Sequence, residues 1–506
     1  MKIPFSILAF QLAFYYWNGI FAMSYTKMFG FYEISSVQIG NYVNVLSTIL
    51  LGSLNGKSKL ECFKTCSLNS DCLLIQFDSS KTCSFYKSIQ SPNQSNSYTY
   101  FYKKIENKGI ILEYTSQVVQ DSKAVGSLVI TNNVFYVKPF TFIDHLNLSN
   151  LDLSKNVITR LDENTFYNLS NLISLYMGTN KIQTINYKAF VPLINLETLY
   201  LNFNLFDYLN PNVFKGLKNL VTLYLNANSL KKIELGLFKD LKSLSFLNLN
   251  RNFLDKITLE FSSLISLKSL YLKFNQISVI EECSFRNMSK LIGLYLDNNK
   301  LKSINMSTFE GLDSLTELYM SNNLINSIDS GTFANLNKIV YLDISKNNLS
   351  YFENNLFSNL TSLLELRLSF NQLKTIDLDN QINLQILDLS YNQYNYFKKG
   401  LVSLKFLDLS YNPISFVNYS VIDSYITYPQ LENLTLIGCQ LVQIDSNSLK
   451  SLVNLKELYI QLNALNYLNE SIFFGLNYLA RVTMDKSLYG SKNFSTFYPN
   501  INFILI

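Results

Sequence analysis

Apolar and polar positions follow a long-period pattern from about residue 128 to the end of this 506-residue chain. Each unit reads L-x-x-L-x-L-x-x-N-x-L, and its asparagine recurs every 23 or 24 residues except between Asn371 and Cys439, where the steps are 21, 20 and 27. A fixed period of this length predicts a stack of repeated structural units. The asparagines are Asn133, Asn156, Asn180, Asn204, Asn228, Asn252, Asn275, Asn299, Asn323, Asn347, Asn371, Asn392, Asn412 and Asn463, with Cys439 and Ser487 at the two remaining steps.

The spacing inside one unit predicts a short strand followed by a turn. In Leu199-Tyr200-Leu201 the leucines point inward and the middle residue points out, because side chains alternate along a strand. The asparagine can then satisfy backbone groups that the turn buries. A second register, of phenylalanines, predicts a buried spine: Phe166, Phe190, Phe214, Phe238, Phe261, Phe285, Phe309, Phe333 and Phe357. Together these patterns predict an α/β solenoid with a parallel sheet on its concave face.

These motifs resemble the leucine-rich repeat of the typical 24-residue extracellular type, found in ectodomains of Toll-type receptors and in Slit-like and small proteoglycan proteins. The resemblance covers residues 128–506 and implies a horseshoe of about sixteen units, irregular at residues 371–439. The chain lacks the family's flanking cysteine caps, because no cysteine lies between Cys83 and Cys283 or after Cys439. The final Ile501-x-x-Ile504-x-Ile506 is typical of a repeat that stops within its strand, which leaves open a truncated chain or a covering partner.

The outward residue of each strand is expected to line the concave face. Ligand-binding candidates in this column are Tyr176, Tyr200, Tyr224, Tyr271, Tyr295, Tyr319, Asp343, Arg367, Asp388 and Asp408. Tyrosine combines a large rigid apolar face with one hydroxyl, and recognition surfaces are enriched in it. The alternative is that tyrosine is a consensus residue here without a binding role. The irregular stretch, which inserts Tyr419 to Tyr428, is a second candidate surface or a case of tolerated repeat decay.

The N-terminus has the three parts of a secretory signal. Lys2 precedes an apolar run from Ile3 to Ala22, and Ala22-x-Ser24 supplies small residues for cleavage. We therefore predict that residues 1–24 are a signal peptide and that the mature protein is secreted or lies on the extracellular surface. The run is also long enough to be an uncleaved anchor, although two polar amides weaken that alternative.

Residues 31–104 lie outside the repeats and contain Cys62, Cys66, Cys72 and Cys83. A capping box at residues 58–61 predicts a helix with Cys62 and Cys66 on one face. The segments ECFKTC, DCLLIQF and TCSFY resemble the PAN/apple module, a disulfide-stapled helix on a curled sheet. That resemblance implies the pairs Cys62–Cys83 and Cys66–Cys72 and binding of proteins or glycans, although the family's terminal cysteine pair is missing. A zinc site is the alternative, which the absence of a nearby histidine disfavours. Residues 105–127 connect this module to the array.

Eleven N-x-S/T sequons are glycosylation candidates, although chance produces about as many in a chain so rich in Asn, Ser and Thr. They are Asn93, Asn147, Asn168, Asn287, Asn305, Asn348, Asn359, Asn418, Asn433, Asn469 and Asn493. Asn168, Asn287 and Asn359 share one unit position on the convex side, and only Asn433 falls on a predicted strand. Sugars on the outer wall and none on the aromatic floor favour a protein-binding concave face.

Composition narrows the chemistry that the chain can perform. The net charge is only +5 and charged residues make up 16%, so we expect no nucleic-acid partner. His145 is the only histidine, which excludes any site that needs two imidazoles and leaves one candidate for a Ser-His or Cys-His mechanism. It occupies a leucine position of its unit, where no nucleophile or oxyanion geometry can be argued. Cys283 and Cys439 lie more than six units apart and are expected to be buried free thiols. We expect no catalysis and no cofactor.

These observations favour a non-catalytic extracellular recognition protein that binds a protein or glycan ligand on the concave face. The alternative is a structural or matrix-adhesion scaffold in which the array associates with itself, for instance as a homodimer. Membrane attachment would require that the N-terminal segment stays uncleaved or that further sequence follows Ile506.

Overall fold

The repeat leucines form one parallel sheet in the computed structural model of the chain. The structure describes residues 126–130, 134–353, 355–397, 400–417, 428–446, 448–489 and 494–506, together with the backbone of short strands between residues 74 and 113. The chain divides into two compact units, Met1–Phe85 and Tyr86–Ile506. The predicted signal peptide, the four-cysteine module at 31–104 with its pairs Cys62–Cys83 and Cys66–Cys72, and the sequons Asn93, Asn418 and Asn493 lie outside the described side chains.

Each repeat contributes one strand to the sheet, and consecutive strands pair in parallel with the repeat leucines in register. The central residue of each interior strand is buried because it points into the stack. The strands are Ser127–Val129, Asn150–Asp152, Ser174–Tyr176, Thr198–Tyr200, Thr222–Tyr224, Phe246–Asn248, Ser269–Tyr271, Gly293–Tyr295, Glu317–Tyr319, Tyr341–Asp343, Glu365–Arg367, Ile386–Asp388, Phe406–Asp408, Asn433–Thr435, Glu457–Tyr459, Arg481–Met484 and Asn502–Leu505.

Shorter elements complete the units. Parallel pairs join Arg160–Leu161 to Thr184–Ile185, Lys256–Ile257 to Val279–Ile280, Ser303–Ile304 to Ser327–Ile328, and Phe416–Val417 to Gln443–Ile444. Before the array, Leu74–Phe77 pairs with Cys83–Tyr86, Ile89–Gln90 with Ser97–Tyr98, and Gly109–Glu113 with both Phe101–Ile105 and Val134–Val137. The helices of the described residues are Lys486–Tyr489 and Phe494–Phe497, with 3-10 turns at Leu259–Ser263 and Glu470–Phe473.

The structure contains the parallel sheet that the α/β expectation requires. The outer side of the solenoid, where that expectation places helices, consists mainly of turns. Left-handed residues such as Asn164, with φ of 63°, and Asn168, with φ of 69°, interrupt the outer segments. A right-handed helix cannot contain such residues. No helix in the described part of the chain is long and apolar enough to cross a bilayer.

The repeat asparagine joins adjacent units, as its register predicts. Asn252 Nδ2 donates to the carbonyl oxygens of Leu249 in its own unit and Leu225 in the preceding one, each at 3.0 Å. Its Oδ1 accepts the N–H of Leu230 at 3.1 Å. Where Cys439 replaces asparagine, its thiol donates to the Leu409 carbonyl at 3.2 Å. The last step is different, because Ser487 lies within the helix Lys486–Tyr489.

The phenylalanine register forms the buried spine that the sequence predicts. The spine begins one unit earlier than predicted, because Phe142 stacks on Phe166 with ring centroids 6.5 Å apart. The last stacked spine pair is Phe333 with Phe357, at 6.2 Å. The next unit is shorter and carries Leu378 at the spine position, so the stack of rings ends there.

Candidate functional site

The candidate column lies at the last residue of each three-residue strand, on the exposed side of the sheet. Register pairs align Tyr176 with Tyr200 and continue in this way along the sheet to Asp388 and Asp408. The column within the paired strands is Asp152, Tyr176, Tyr200, Tyr224, Asn248, Tyr271, Tyr295, Tyr319, Asp343, Arg367, Asp388, Asp408, Thr435 and Tyr459. The fold therefore brings all ten candidate residues onto one face of one sheet. Their role in binding stays a prediction.

Rings from this column and from the first strand position form a continuous stack, which we call the aromatic ladder. Consecutive ring centroids are 4.3 to 5.1 Å apart. The ladder consists of Tyr176, Tyr200, Tyr224, Phe246, Tyr271, Tyr295, Tyr319 and Tyr341. Such spacing is typical of stacked aromatic pairs, which stabilise one another beyond the area they bury.

Two ladder members were missed by the sequence interpretation. Phe246 and Tyr341 are the first residues of their strands, two positions before the column. Both point out on the same face because residues i and i+2 share a face of a strand. Phe246 fills the gap at Asn248, with its ring 4.9 Å from Tyr224 and 5.1 Å from Tyr271. An aromatic residue at the first strand position is the sequence signal that identifies Phe246 and Tyr341.

Stacking changes what the ladder offers to a ligand. The rings of Tyr271 and Tyr295 are nearly parallel, at 5°, and those of Tyr200 and Tyr224 are at 11°. Neighbouring rings thus cover much of each other's faces, and these tyrosines are half-buried. A ligand therefore meets ring edges more than open ring faces. Burial, together with the neighbouring Tyr224, raises the pKa of Tyr200 to about 12, so its hydroxyl stays protonated.

A buried ion pair holds the middle of the ladder in place. Lys273 Nζ lies 2.9 Å from Asp297 Oδ2, and their side chains are only 14% and 6% exposed. The same ammonium lies 5.0 Å from the ring centroid of Tyr295 and 4.8 Å from that of Tyr319, which is within the range of cation–π attraction. Tyr295 also donates its hydroxyl to Glu317 at 2.7 Å.

Glycine makes room for one ring of the ladder. At Gly293 a Cβ would approach the Tyr295 ring at 2.9 Å, closer than real side chains pack. The same outward position carries Phe246 and Tyr341 in other strands. The residue at the first strand position therefore decides whether a second outward side chain lies beside the column residue of that strand.

The charged part of the column follows the ladder. Asp388 Oδ1 accepts from the backbone N–H of Ser390 at 3.0 Å, and Asp408 Oδ1 accepts from that of Ser410 at 2.8 Å. These bonds close the turn after each strand, so the carboxylates have a structural role. Burial and the neighbouring Asp388 carboxylate raise the pKa of Asp408.

Arg367 and Asp343 begin this charged part. Arg367 Nε lies 2.6 Å from Glu365 Oε1, and its guanidinium lies over the Tyr341 ring at 5.7 Å. Burial raises the pKa of the Asp343 carboxyl to about 6, although Ser345 donates its backbone N–H to the carboxylate at 2.9 Å. The end of the ladder thus combines a cation with a carboxyl that gains or loses a proton in mildly acidic solution.

Replacing Asp343 by Asn is expected to change how stability depends on pH. The folded protein holds the Asp343 proton up to about pH 6, whereas an unfolded Asp titrates near pH 4. The stability that this proton contributes is therefore complete below about pH 4 and is lost as the pH rises through about 6. We expect the parent to lose roughly 1–2 kcal/mol more than Asp343→Asn between pH 4 and pH 7 in urea unfolding. Parallel pH profiles for the two proteins would show that this carboxyl is not perturbed.

The side chains that suggested chemistry occupy structural positions. His145 is 4% exposed and packs edge-on against Phe142 at 6.0 Å, and burial lowers its pKa. Cys283 and Cys439 are both free, as predicted. Cys439 is buried, and burial raises the pKa of its thiol to about 12, so it is a poor nucleophile at neutral pH. Cys283 is half-buried, which corrects the expectation that both thiols are buried, because its left-handed backbone, with φ of 61°, places it in an outer turn.

The described sequons lie mainly on exposed positions away from the ladder. Asn147, Asn168, Asn287, Asn305, Asn348 and Asn359 are exposed, whereas Asn433 and Asn469 are half-buried. Asn433 is the one on a strand of the sheet among the described sequons, as predicted. Asn168 and Asn359 donate Nδ2 to carbonyl oxygens of the preceding unit, at 3.1 and 3.0 Å, so glycosylation there would replace an inter-unit bond.

Comparison with known proteins agrees with the repeat geometry. A family model described as leucine-rich repeat matches residues 146–206, 194–254, 265–325 and 316–373. Residues 146–254 and 265–373 therefore consist of leucine-rich repeats. No curated protein sequence matches it significantly.

Three solved structures resemble the array. A leucine-rich repeat protein of Leptospira interrogans aligns with a TM-score of 0.65 and 25% identity, over 76% of this chain and 96% of that chain. A chain of the TLR13–ssRNA13 complex aligns with a TM-score of 0.63 and 26% identity, over 74% of this chain and 57% of that chain. A chain of the Drosophila Toll–Spatzle complex aligns with a TM-score of 0.63 and 22% identity, over 74% of this chain and 52% of that chain, which shows the fold alone.

Proposed function

We propose that this leucine-rich repeat protein is a non-catalytic extracellular recognition protein that binds a protein ligand along the exposed face of its sheet. The observation that carries the proposal is the unbroken aromatic ladder from Tyr176 to Tyr341. Rigid aromatic side chains bind at a low entropic cost, because their rotamers are already fixed by stacking. The adjoining charges of Asp343, Arg367 and Asp388 add the polar contacts that orient a partner.

Similar arrays give two examples of macromolecular ligands. A structure similar to this chain contains TLR13 with an RNA, and another contains Toll with Spatzle. For this chain a protein or a glycan is favoured over RNA. Bases bind by stacking on open aromatic faces, and stacking within the ladder covers those faces. The net charge of +5 also offers few phosphate contacts.

Changing Tyr224 and Tyr271 together to Ser is expected to weaken ligand binding at least tenfold. The two rings flank Phe246, so the double change breaks the ladder at its centre. Loss of two central aromatic contacts costs about 1.4 kcal/mol or more, which is a tenfold change in Kd. Immobilised protein would be titrated with a panel of extracellular proteins, a glycan array and single-stranded RNA in a biosensor.

The matched control is the double change of Tyr208 and Tyr351 to Ser. These tyrosines are 51% and 62% exposed and lie outside the sheet strands. We expect the control to retain the parent's affinity for a bound protein. Binding that survives the ladder change and fails in the control would refute the ladder as the site, and capture of RNA or glycans only would refute the protein ligand.

The alternative function is a scaffold that associates with itself through the array. Sedimentation velocity over a range of concentrations distinguishes the two functions in the absence of any ligand. A monomer favours recognition of a foreign ligand. A dimer that the Tyr224 and Tyr271 change dissociates, while the control change leaves it intact, favours the scaffold.

A further inference from the structure

A second row of stacked rings lies in the turns that follow the strands, outside the aromatic ladder. Phe370, Tyr391 and Tyr411 each precede the repeat asparagine of their unit, and consecutive ring centroids are 4.0 and 4.2 Å apart. Backbone bonds align the row, because Phe370 donates its N–H to the Ser390 carbonyl at 2.9 Å and Tyr391 donates to the Ser410 carbonyl at 2.8 Å. We call these three rings the turn stack.

The turn stack is exposed, unlike the phenylalanine spine. Its three side chains are 41%, 39% and 38% exposed. At the same unit position the earlier described units carry two aromatic residues, Phe203 and Phe274, which are not in neighbouring units. Three consecutive exposed rings form a contiguous apolar surface, and such surfaces are where proteins meet their partners.

Two carboxylates lie beside the turn stack. Asp388 and Asp408 are register partners in adjacent strands, each three residues before a ring of the stack. Their Oδ1 atoms accept from Ser390 and Ser410, which directs both carboxylates toward the turns that carry the rings. Both residues are half-buried. Within the described residues neither one forms an ion pair, and their Oδ2 atoms accept no hydrogen bond.

Elsewhere on this face a carboxylate beside a ring is joined by a cation of the chain itself. Two such groups are Lys273 with Asp297 and Tyr295, and Arg367 with Glu365 and Tyr341. The cation lies 2.9 and 2.6 Å from the carboxylate, and 5.0 and 5.7 Å from the ring centroid. Asp388 and Asp408 have the rings beside them, but no cation from the described part of the chain joins them.

The chemistry of this surface selects a basic partner. Burial and the neighbouring Asp388 raise the pKa of Asp408, as expected for two carboxylates that repel each other, and a bound cation would relieve this repulsion. Adjacent strands are about 4.8 Å apart, so the several N–H donors of one guanidinium can reach both carboxylates. The aliphatic stem of the same side chain can pack on the rings.

We propose that this surface docks a basic segment of the partner protein, with one arginine whose guanidinium pairs with Asp388 and Asp408 and whose stem lies across Tyr391 and Tyr411. The arginine site rests on the proposed function, because it defines the chemistry of the partner at one end of the same binding face.

The test compares two fluorescein-labelled peptides by fluorescence anisotropy with the full chain. One is Leu-Arg-Leu-Arg-Leu, and in the other citrulline, which is neutral and has nearly the same shape, replaces each arginine. At about pH 8, where Asp408 is more fully ionised, we expect the arginine peptide to bind at least tenfold more tightly. The double change Asp388→Asn and Asp408→Asn is expected to remove this preference. Asparagine keeps an oxygen that accepts the Ser390 and Ser410 bonds, so the turns are expected to stay intact.

Asp152→Asn is the matched control for the charges. Asp152 lies in the same column and accepts the backbone N–H of Ser154 at 2.8 Å, as Asp388 accepts that of Ser390. Its unit has Lys155 where the other units have a ring of the turn stack. We expect this variant to bind the arginine peptide as the parent does.

The rings are tested by changing Tyr391 and Tyr411 together to Ser, which is expected to weaken the arginine peptide about fivefold. Phe203→Ser is the matched control, because Phe203 has the same unit position and is 52% exposed, and no carboxylate lies three residues before it. We expect the control to change nothing.

Several outcomes would overturn the arginine site. They are equal or absent binding of the two peptides, a preference that survives the change of Asp388 and Asp408, and an equal loss in either control. Unchanged affinity without the two tyrosine rings would do the same. A dimer in sedimentation velocity that the change of Asp388 and Asp408 dissociates would assign the surface to a second copy of the chain instead.

The ladder variant distinguishes this site from the proposed function. Changing Tyr224 and Tyr271 to Ser is expected to leave binding of the arginine peptide unchanged, because neither residue belongs to the turn stack. A peptide that loses affinity in this variant binds the ladder, which would contradict the arginine site. The arginine site can therefore fail while the ladder still binds a protein, and the reverse is equally visible.

Discussion

Asn252→Leu is expected to lower the free energy of unfolding by about 3–5 kcal/mol, measured by urea denaturation. The change deletes the bonds from Nδ2 to the Leu225 and Leu249 carbonyls and leaves the Leu230 N–H without its acceptor. Asn252 is 4% exposed, so water cannot replace these partners without opening the stack. Because neighbouring units stabilise each other, hydrogen exchange is expected to accelerate in the units on both sides of the substitution.

Asn228→Leu is the matched control for this prediction. Asn228 makes the same two carbonyl bonds, to Leu201 and Leu225, but its Oδ1 accepts no hydrogen bond within the described residues. The control therefore leaves no additional N–H unpaired and is expected to cost about 1–2 kcal/mol less than Asn252→Leu. Equal losses for the two variants would show that the N–H bond between units contributes nothing.

Gly311→Ala is expected to destabilise the array by about 3 kcal/mol or more, again in urea denaturation. Gly311 has φ of 93°, and a Cβ there would lie 2.5 Å from the carbonyl carbon and 2.7 Å from the Cα of Arg286 in the preceding unit. Backbone cannot move aside as a flexible side chain can, so the two units would have to separate.

Gly216→Ala separates the clash from the backbone strain. Gly216 occupies the same unit position with φ of 85°, and a Cβ there would meet no atom within 4 Å. It is expected to cost only about 1 kcal/mol, the strain of a left-handed alanine. If both glycine variants lose the same stability, close packing of adjacent units at Gly311 is disproved.

The periodic residues predict most of the fold because each of them occupies the same local environment in every repeat. The position of Asn252 implies the backbone bonds seen in the structure, and that of Phe190 implies its place in the spine. The outer side was predicted less well, since the α/β expectation overlooked left-handed turn residues. Asn168 is one of these residues. Its positive φ depends on how the whole turn closes, which the repeat pattern does not contain.

The sequence predicted the ladder residues at the third strand position. It missed those at the first strand position. Tyr224 and Tyr271 were found by reading one outward position per strand, whereas Phe246 uses the other outward position. That position could have been read from the same sequence. The tilt of the rings could not, because it depends on neighbours such as Gly293 and Lys273 that become adjacent only in the folded stack.

The central claim is that the aromatic ladder is the surface that contacts the partner. Hydroxyl-radical footprinting, read by mass spectrometry at each tyrosine, tests it directly on the complex with the bound protein. The account predicts that oxidation falls at Tyr176, Tyr224, Tyr271 and Tyr319, while Tyr208 and Tyr351 react as they do in the free protein. Unchanged oxidation along the ladder, with protection at Tyr208 or Tyr351 instead, would contradict it.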